Sequence, residues 1–115
     1  MEIFRPVEGR AEATEFRTVA TGGMEWTADS TPGFWAKTLA DDGQGNSTVL
    51  MKMDPGCYAG PHAHEESEQV YVLEGTFHDQ VATYRPGDFI ERAPGAVHST
   101  GSEQGGVVLL VFNAA

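Results

Sequence analysis

The chain has a single cysteine, so no internal disulfide can form and the fold must be held by packing and hydrogen bonding. Basic residues are scarce: seven lysines and arginines stand against seventeen acidic residues, for a formal net charge of -10. Such a surface repels polyphosphate, which argues against nucleic acid as a partner, and an anionic membrane is disfavoured for the same reason. No apolar run approaches the roughly eighteen residues that a membrane-spanning helix needs. The opening segment Met1–Pro6 lacks the basic-then-apolar layout of a secretory signal. Together with the lone cysteine, this sets the expectation of a cytoplasmic protein. Helical periodicity is missing as well, because no stretch longer than a few residues repeats its apolar positions at the 3.6-residue spacing.

What is present is regular punctuation. Pro-Gly pairs occur at Pro32-Gly33, Pro55-Gly56, Pro86-Gly87 and Pro94-Gly95. Proline presets φ at the second position of a turn, and glycine supplies the positive φ at the third. Between these turns lie short β-rich runs: Phe34–Leu39, Ser47–Met53, Gln69–Leu73, Val81–Tyr84, Asp88–Glu91 and Val107–Phe112. Asp41–Asn46 reads as a hairpin loop. Short, evenly spaced strands with Pro/Gly turns predict an all-β sandwich or barrel. The 115 residues suit one domain: residues 1–30 as an N-terminal arm and 31–115 as the barrel. Within the arm, Arg17–Val19 is expected as a short strand or extended segment, Thr21–Gly23 as a turn and Trp26 as the first anchored aromatic. The arm is expected to cover an open end of the barrel or to pair with a second subunit.

The stretch from Gly56 to Gly75 carries the chemistry. His62 and His64 are two residues apart, and on a strand they face one volume. Glu68 follows, and His98 comes after the Pro94-Gly95 turn. Imidazole and carboxylate are ordinary ligands for zinc, iron, manganese, nickel or copper. Glu65 and Glu66 compete with Glu68 for the carboxylate role, and the spacing to Gly75 favours Glu68. His78 is expected to be exposed in a hairpin and Cys57 to be a small buried apolar residue.

These residues form a recognisable pattern. Gly56, five residues, His62, one residue, His64, three residues, Glu68, six residues and Gly75 reproduce the first motif of the cupin superfamily. Gly87, Gly95 and His98 fit its second motif; Ala93 stands where proline is expected, and Ser102 replaces an asparagine. The sequence therefore resembles the cupins over roughly residues 32–113. Its finer likeness is to the ChrR-type subfamily, through Val70–Phe77, Tyr84–Asp88 and Ala93–Ser99. The resemblance implies a jelly-roll β-barrel with one divalent metal (Fe, Zn, Ni or Mn) held by His62, His64, Glu68 and His98. It also implies open coordination positions and a homodimer paired through its sheets. That subfamily includes acetylacetone-type dioxygenases, so a metal-dependent, dioxygenase-like enzyme on a small carbonyl compound is expected. The alternative is a non-catalytic zinc or small-ligand sensor module akin to the C-terminal domain of anti-sigma factors. No counterpart of the helical domain those proteins carry is expected within these 115 residues.

Alternation nominates a pocket wall. In Ser47–Met53, either Thr48-Leu50-Lys52 or the apolar set Val49-Met51-Met53 faces inward, and the apolar set is preferred. Counting from Glu68, the inward set continues through Val70 and Val72. Met51, Met53, Tyr58 and Phe112 are candidate wall residues. If Ile90 points inward, so does Arg92, which then joins that wall; otherwise Arg92 is a surface residue paired with Glu91 or Asp88.

Overall fold

The computed structural model describes residues 1–6 and 16–115. Among them, ten strands follow one 3-10 turn at Thr21–Gly23: β1 Thr27–Ala28, β2 Phe34–Asp41, β3 Ser47–Met53, β4 Cys57–His62, β5 Ser67–Gly75, β6 Phe77–His78, β7 Thr83–Tyr84, β8 Phe89–Arg92, β9 His98–Ser102 and β10 Gly106–Asn113. Two antiparallel sheets result, one in the order β1-β2-β3-β10-β5-β8 and one in the order β4-β9-β6-β7. This is the all-β arrangement expected from the turn spacing, in the jelly-roll form that the cupin resemblance implies. All six expected runs contain strands, with ends shifted by a residue or two. Arg17–Val19 forms no strand; Arg17 instead donates from Nη1 to the Leu39 carbonyl at 2.5 Å, which ties this residue to β2. The expected arm also includes residues 7–15, which lie outside the described residues.

Alternation decides which residues meet between the sheets. On β5 the buried set is Glu68, Val70 and Val72. On β10 it is Val108 and Leu110, which lie opposite Val72 and Val70. Val49 and Met51 pack against this core from β3, and Met53 is buried within it. Phe77 from the smaller sheet closes the other side at 1 % exposure. Burying a side chain of that size contributes roughly 1.5–3 kcal/mol. Register also settles the Arg92 question: Ile90 lies opposite Val70 and Arg92 opposite Glu68, so both face inward. The surface alternative for Arg92 is therefore corrected.

Glycine has a steric role at the end of β5. Gly75 has a φ of 68°, and a Cβ there would run into the carbonyl oxygen of Gly105. No other residue type lets β5 turn away so close to the start of β10. Four strands lie outside the expected runs: the two-residue β1 and β6, and the longer β4 and β9. β4 reads Cys-Tyr-Ala-Gly-Pro-His and β9 reads His-Ser-Thr-Gly-Ser; neither has the aromatic and β-branched content that marks a strand. They are strands because they pair with each other, and all five β9 residues are buried.

Candidate metal centre

β4 and β9 bring His62 and His98 face to face as cross-strand partners. Their pairing is irregular between Ala59 and His62, where Pro61 has no N–H to give to the ladder. His64 is not on a strand, because β4 ends at His62. Simple strand alternation is therefore not what aims it. The Gly95 N–H donates to the His64 carbonyl at 2.8 Å and ties this turn to the loop that leads into His98. The outcome is still convergence: the three imidazoles have centroids 4.3 to 5.4 Å apart, and their candidate ligand atoms all lie within 4.8 Å of one another.

Backbone carbonyls fix how two of the rings present themselves. His62 Nδ1 is 2.7 Å from the Gly60 oxygen, and His98 Nδ1 is 2.9 Å from the Ala96 oxygen. A carbonyl only accepts, so each Nδ1 carries the proton and each Nε2 offers a lone pair. Nε2 of His98 is buried and has no hydrogen-bond partner among the described residues. Such an orphan is costly unless a further group satisfies it. Burial pushes the His98 pKa down, and the nearby Arg92 and His62 push it the same way, against the Ala96 carbonyl and Glu68. The neutral, ligating form of the ring is favoured.

Glu68 faces the same volume. Its Oε2 lies 3.2 Å from His64 Nε2 and 3.8 Å from His98 Nε2. Metal–ligand bonds near 2.1 Å place neighbouring ligand atoms about 3.0–3.4 Å apart. Its other oxygen, Oε1, accepts from Arg92 Nη1 at 2.6 Å. Arg92 is 8 % exposed, and its Nη2 also reaches Asp79 Oδ2 at 2.8 Å. Two carboxylates thus share one guanidinium beside the three imidazoles, so the acidic groups outnumber the basic side chain that pairs with them. A buried charge demands a partner, and a cation fits. The residues present therefore suit a divalent metal ion.

A cavity of about 490 Å³ opens between the sheets beside this cluster, with His62, His64 and Glu68 in its wall. Met51, Tyr58 and Phe112, nominated from sequence, line it together with Phe34, Val49 and Leu110. Met53 and Arg92 do not: Met53 is core at 2 % exposure, and Arg92 is taken up by Glu68 and Asp79. His78, expected at the surface, is half-buried against Gly101. Cys57 is buried, and burial raises its thiol pKa. Asp79 escaped sequence reasoning altogether. Its only local sign was a short polar residue at a hairpin turn, which says nothing of the distant arginine.

Solved structures share this architecture. An RmlC-like cupin from Shewanella frigidimarina superposes with a TM-score of 0.75 at 25% identity, covering 89% of this chain and 93% of that one. A candidate acetylacetone dioxygenase from Methylibium petroleiphilum gives a TM-score of 0.76 at 15% identity, over 89% of this chain and 79% of that one. The anti-sigma ChrR complex with SigE from Rhodobacter sphaeroides gives 0.70 at 20% identity; 79% of this chain is covered but only 50% of the matched chain. No curated protein matches the sequence. Residues 14–115 match the ChrR Cupin-like domain, and the chain belongs to that family of cupins.

Proposed function

We propose that this protein is a metal-dependent enzyme of dioxygenase type acting on a small carbonyl-bearing molecule, with one divalent ion held by His62, His64, Glu68 and His98. The observation that carries the reading is the orphaned, buried Nε2 of His98, clustered with two further imidazoles beside an apolar cavity. Iron, zinc, nickel and manganese all accept this nitrogen and oxygen donor set. A bound ion would supply Lewis acidity toward substrate oxygen and, if iron(II), redox chemistry with dioxygen. The chain's own residues do the rest. The Gly60 and Ala96 carbonyls hold two imidazoles in their ligating tautomer. Arg92 fixes Glu68, so at most one carboxylate oxygen points at the histidines. Met51, Leu110 and Phe112 offer an apolar wall that excludes water and seats the substrate body. Among the described residues lining the cavity, none is lysine or arginine, which favours an uncharged substrate.

The test is metal content of anaerobically purified protein, alongside oxygen uptake with small β-diketones. Near-stoichiometric iron with uptake supports the proposal; a metal-loaded protein without uptake across the panel counts against it. A second reading is a non-catalytic zinc or small-ligand sensor module, favoured by the match to the ChrR Cupin-like domain. Tightly held zinc, no turnover and a stable protein partner in pull-down would select it.

A homodimer is part of the proposal. Leu50, Leu109, Tyr71 and Phe89 form one cross-strand row on the outer face of the larger sheet. Tyr71 is 44% exposed and Phe89 57%. That row supports pairing through this face.

A further inference from the structure

Beyond the ligands, we propose that the turn between β6 and β7 is the positioning element of the metal centre, with Asp79, Gln80 and Arg92 as its positioning residues. The inference rests on the reading of His98 and Glu68 as ligands. These two are the buried members of the set, while His62 and His64 are half-buried.

Gln80 braces His98. β9 has β4 on one side along its length, but on the other side it meets β6 only at Gly101, opposite His78. The His98 end of β9 therefore lacks a neighbour there. Gln80 fills the gap with its side-chain amide. Its Nε2 donates to the Val97 carbonyl at 3.1 Å, and its Oε1 accepts from the Ser99 N–H at 3.0 Å. These two bonds flank His98 and stand in for a missing strand. Gln80 itself is exposed, so water can replace its bonds at little cost in stability. What water cannot replace is the fixed spacing of the two groups.

Asp79 braces Glu68 through Arg92. Its Oδ1 accepts from the N–H groups of Val81 and Ala82 at 2.8 and 3.1 Å, so the turn itself holds the carboxylate. Its Oδ2 accepts from the Tyr84 hydroxyl at 3.0 Å and from Arg92 Nη2 at 2.8 Å. Arg92, anchored at one end, then holds Glu68 Oε1 with the other nitrogen. Consecutive residues of one tight turn thus set the position of a nitrogen donor and an oxygen donor from different sheets. Groups that orient ligands in this way typically change metal affinity about 10- to 100-fold when removed.

Cobalt(II) is the probe, because its visible absorption reports coordination geometry as well as binding. Titration would compare the wild type with Gln80→Ala, Gln80→Glu, Asp79→Asn and His98→Ala, each with a melting curve of the metal-free protein. Gln80→Ala is expected to bind about tenfold more weakly with an unchanged melting curve. Gln80→Glu, which keeps the acceptor and loses the donor, should fall between it and the wild type. Asp79→Asn should approach a 100-fold loss with an altered cobalt spectrum. Wild-type affinity and spectrum in Gln80→Ala and Asp79→Asn, with binding lost only in His98→Ala, would overturn the positioning role while leaving the metal site intact. A wild type that takes up no cobalt would overturn the metal reading and this inference with it. Should Asp79→Asn fail to fold, the exposed Gln80 variants decide the matter.

Discussion

The two sheets face each other across one cavity but differ in kind. The larger is built from long strands whose inward residues are Val49, Met51, Val70, Val72, Val108 and Leu110, with Glu68 and Arg92 as a charged pair at one end. The smaller turns inward the short, polar strand β9, with His98 at its start and Ser102 fully buried at its end. The larger sheet supplies most of the apolar burial that makes the fold stable, and the smaller presents two of the three imidazoles. Most of the apolar burial and two of the three imidazoles thus lie on different sheets, with Glu68 the one candidate ligand on the larger, and substitutions should separate the two contributions.

The largest effect expected is His98→Ala, which should take metal content from near-stoichiometric to background by elemental mass spectrometry while the fold persists by circular dichroism. Retention of the wild-type metal content would break the proposed division. Met53→Ala, on the larger sheet and away from the cavity lining, should cost about 2–5 kcal/mol in chemical denaturation with metal affinity unchanged. A parallel loss of affinity would show that the faces are not separable.

Asp79 offers a smaller, pH-dependent effect. Burial works against its carboxylate, but hydrogen bonds from Val81, Arg92, Ala82 and Tyr84 together hold its pKa below the ordinary carboxylate value. A depressed carboxylate stabilises the fold above its unfolded pKa of about 3.9, and that contribution is lost as pH falls through the folded value. Asp79→Asn should cost about 3 kcal/mol near neutrality, since it leaves Arg92 short of a buried partner. The gap from wild type should narrow below about pH 4 in urea titrations; a gap constant down to pH 2.5 would contradict this. The smallest effect on stability belongs to the outer face. The double substitution of Tyr71 and Phe89 by serine should change stability by no more than about 1 kcal/mol. It should also convert a dimer to a monomer by light scattering; a wild type already of monomer mass would remove the dimer from the picture.

Much of the larger sheet was legible in sequence because its longer strands are β-rich runs bounded by turns, and β5 alternates buried and exposed residues against the core. Ser47–Met53 was read with its inward set correctly chosen, and Glu68, Val70 and Val72 fell on one face as counted. β4 and β9 were not legible as strands, since glycine, proline, serine and threonine carry no period-2 signal, yet their histidines stood out through motif spacing. Asp79 and Gln80 were invisible as site residues: one is tied to Arg92, 13 positions away, and the other to Ser99, 19 positions away, and neither pairing has a local signature.

By itself, then, the sequence determined the class of fold, through Pro-Gly turns and strand alternation, and marked the histidines and Glu68 as candidates, through motif spacing. Those are local properties, set by backbone dihedrals and side-chain periodicity. Which face Arg92 takes, which of its carboxylate neighbours it serves, and how a hairpin turn braces His98 were decided only by the tertiary structure. Those choices depend on register between β5 and β8 and on the docking of one sheet over the other, where burial forces every charge and every orphaned strand edge to find a partner.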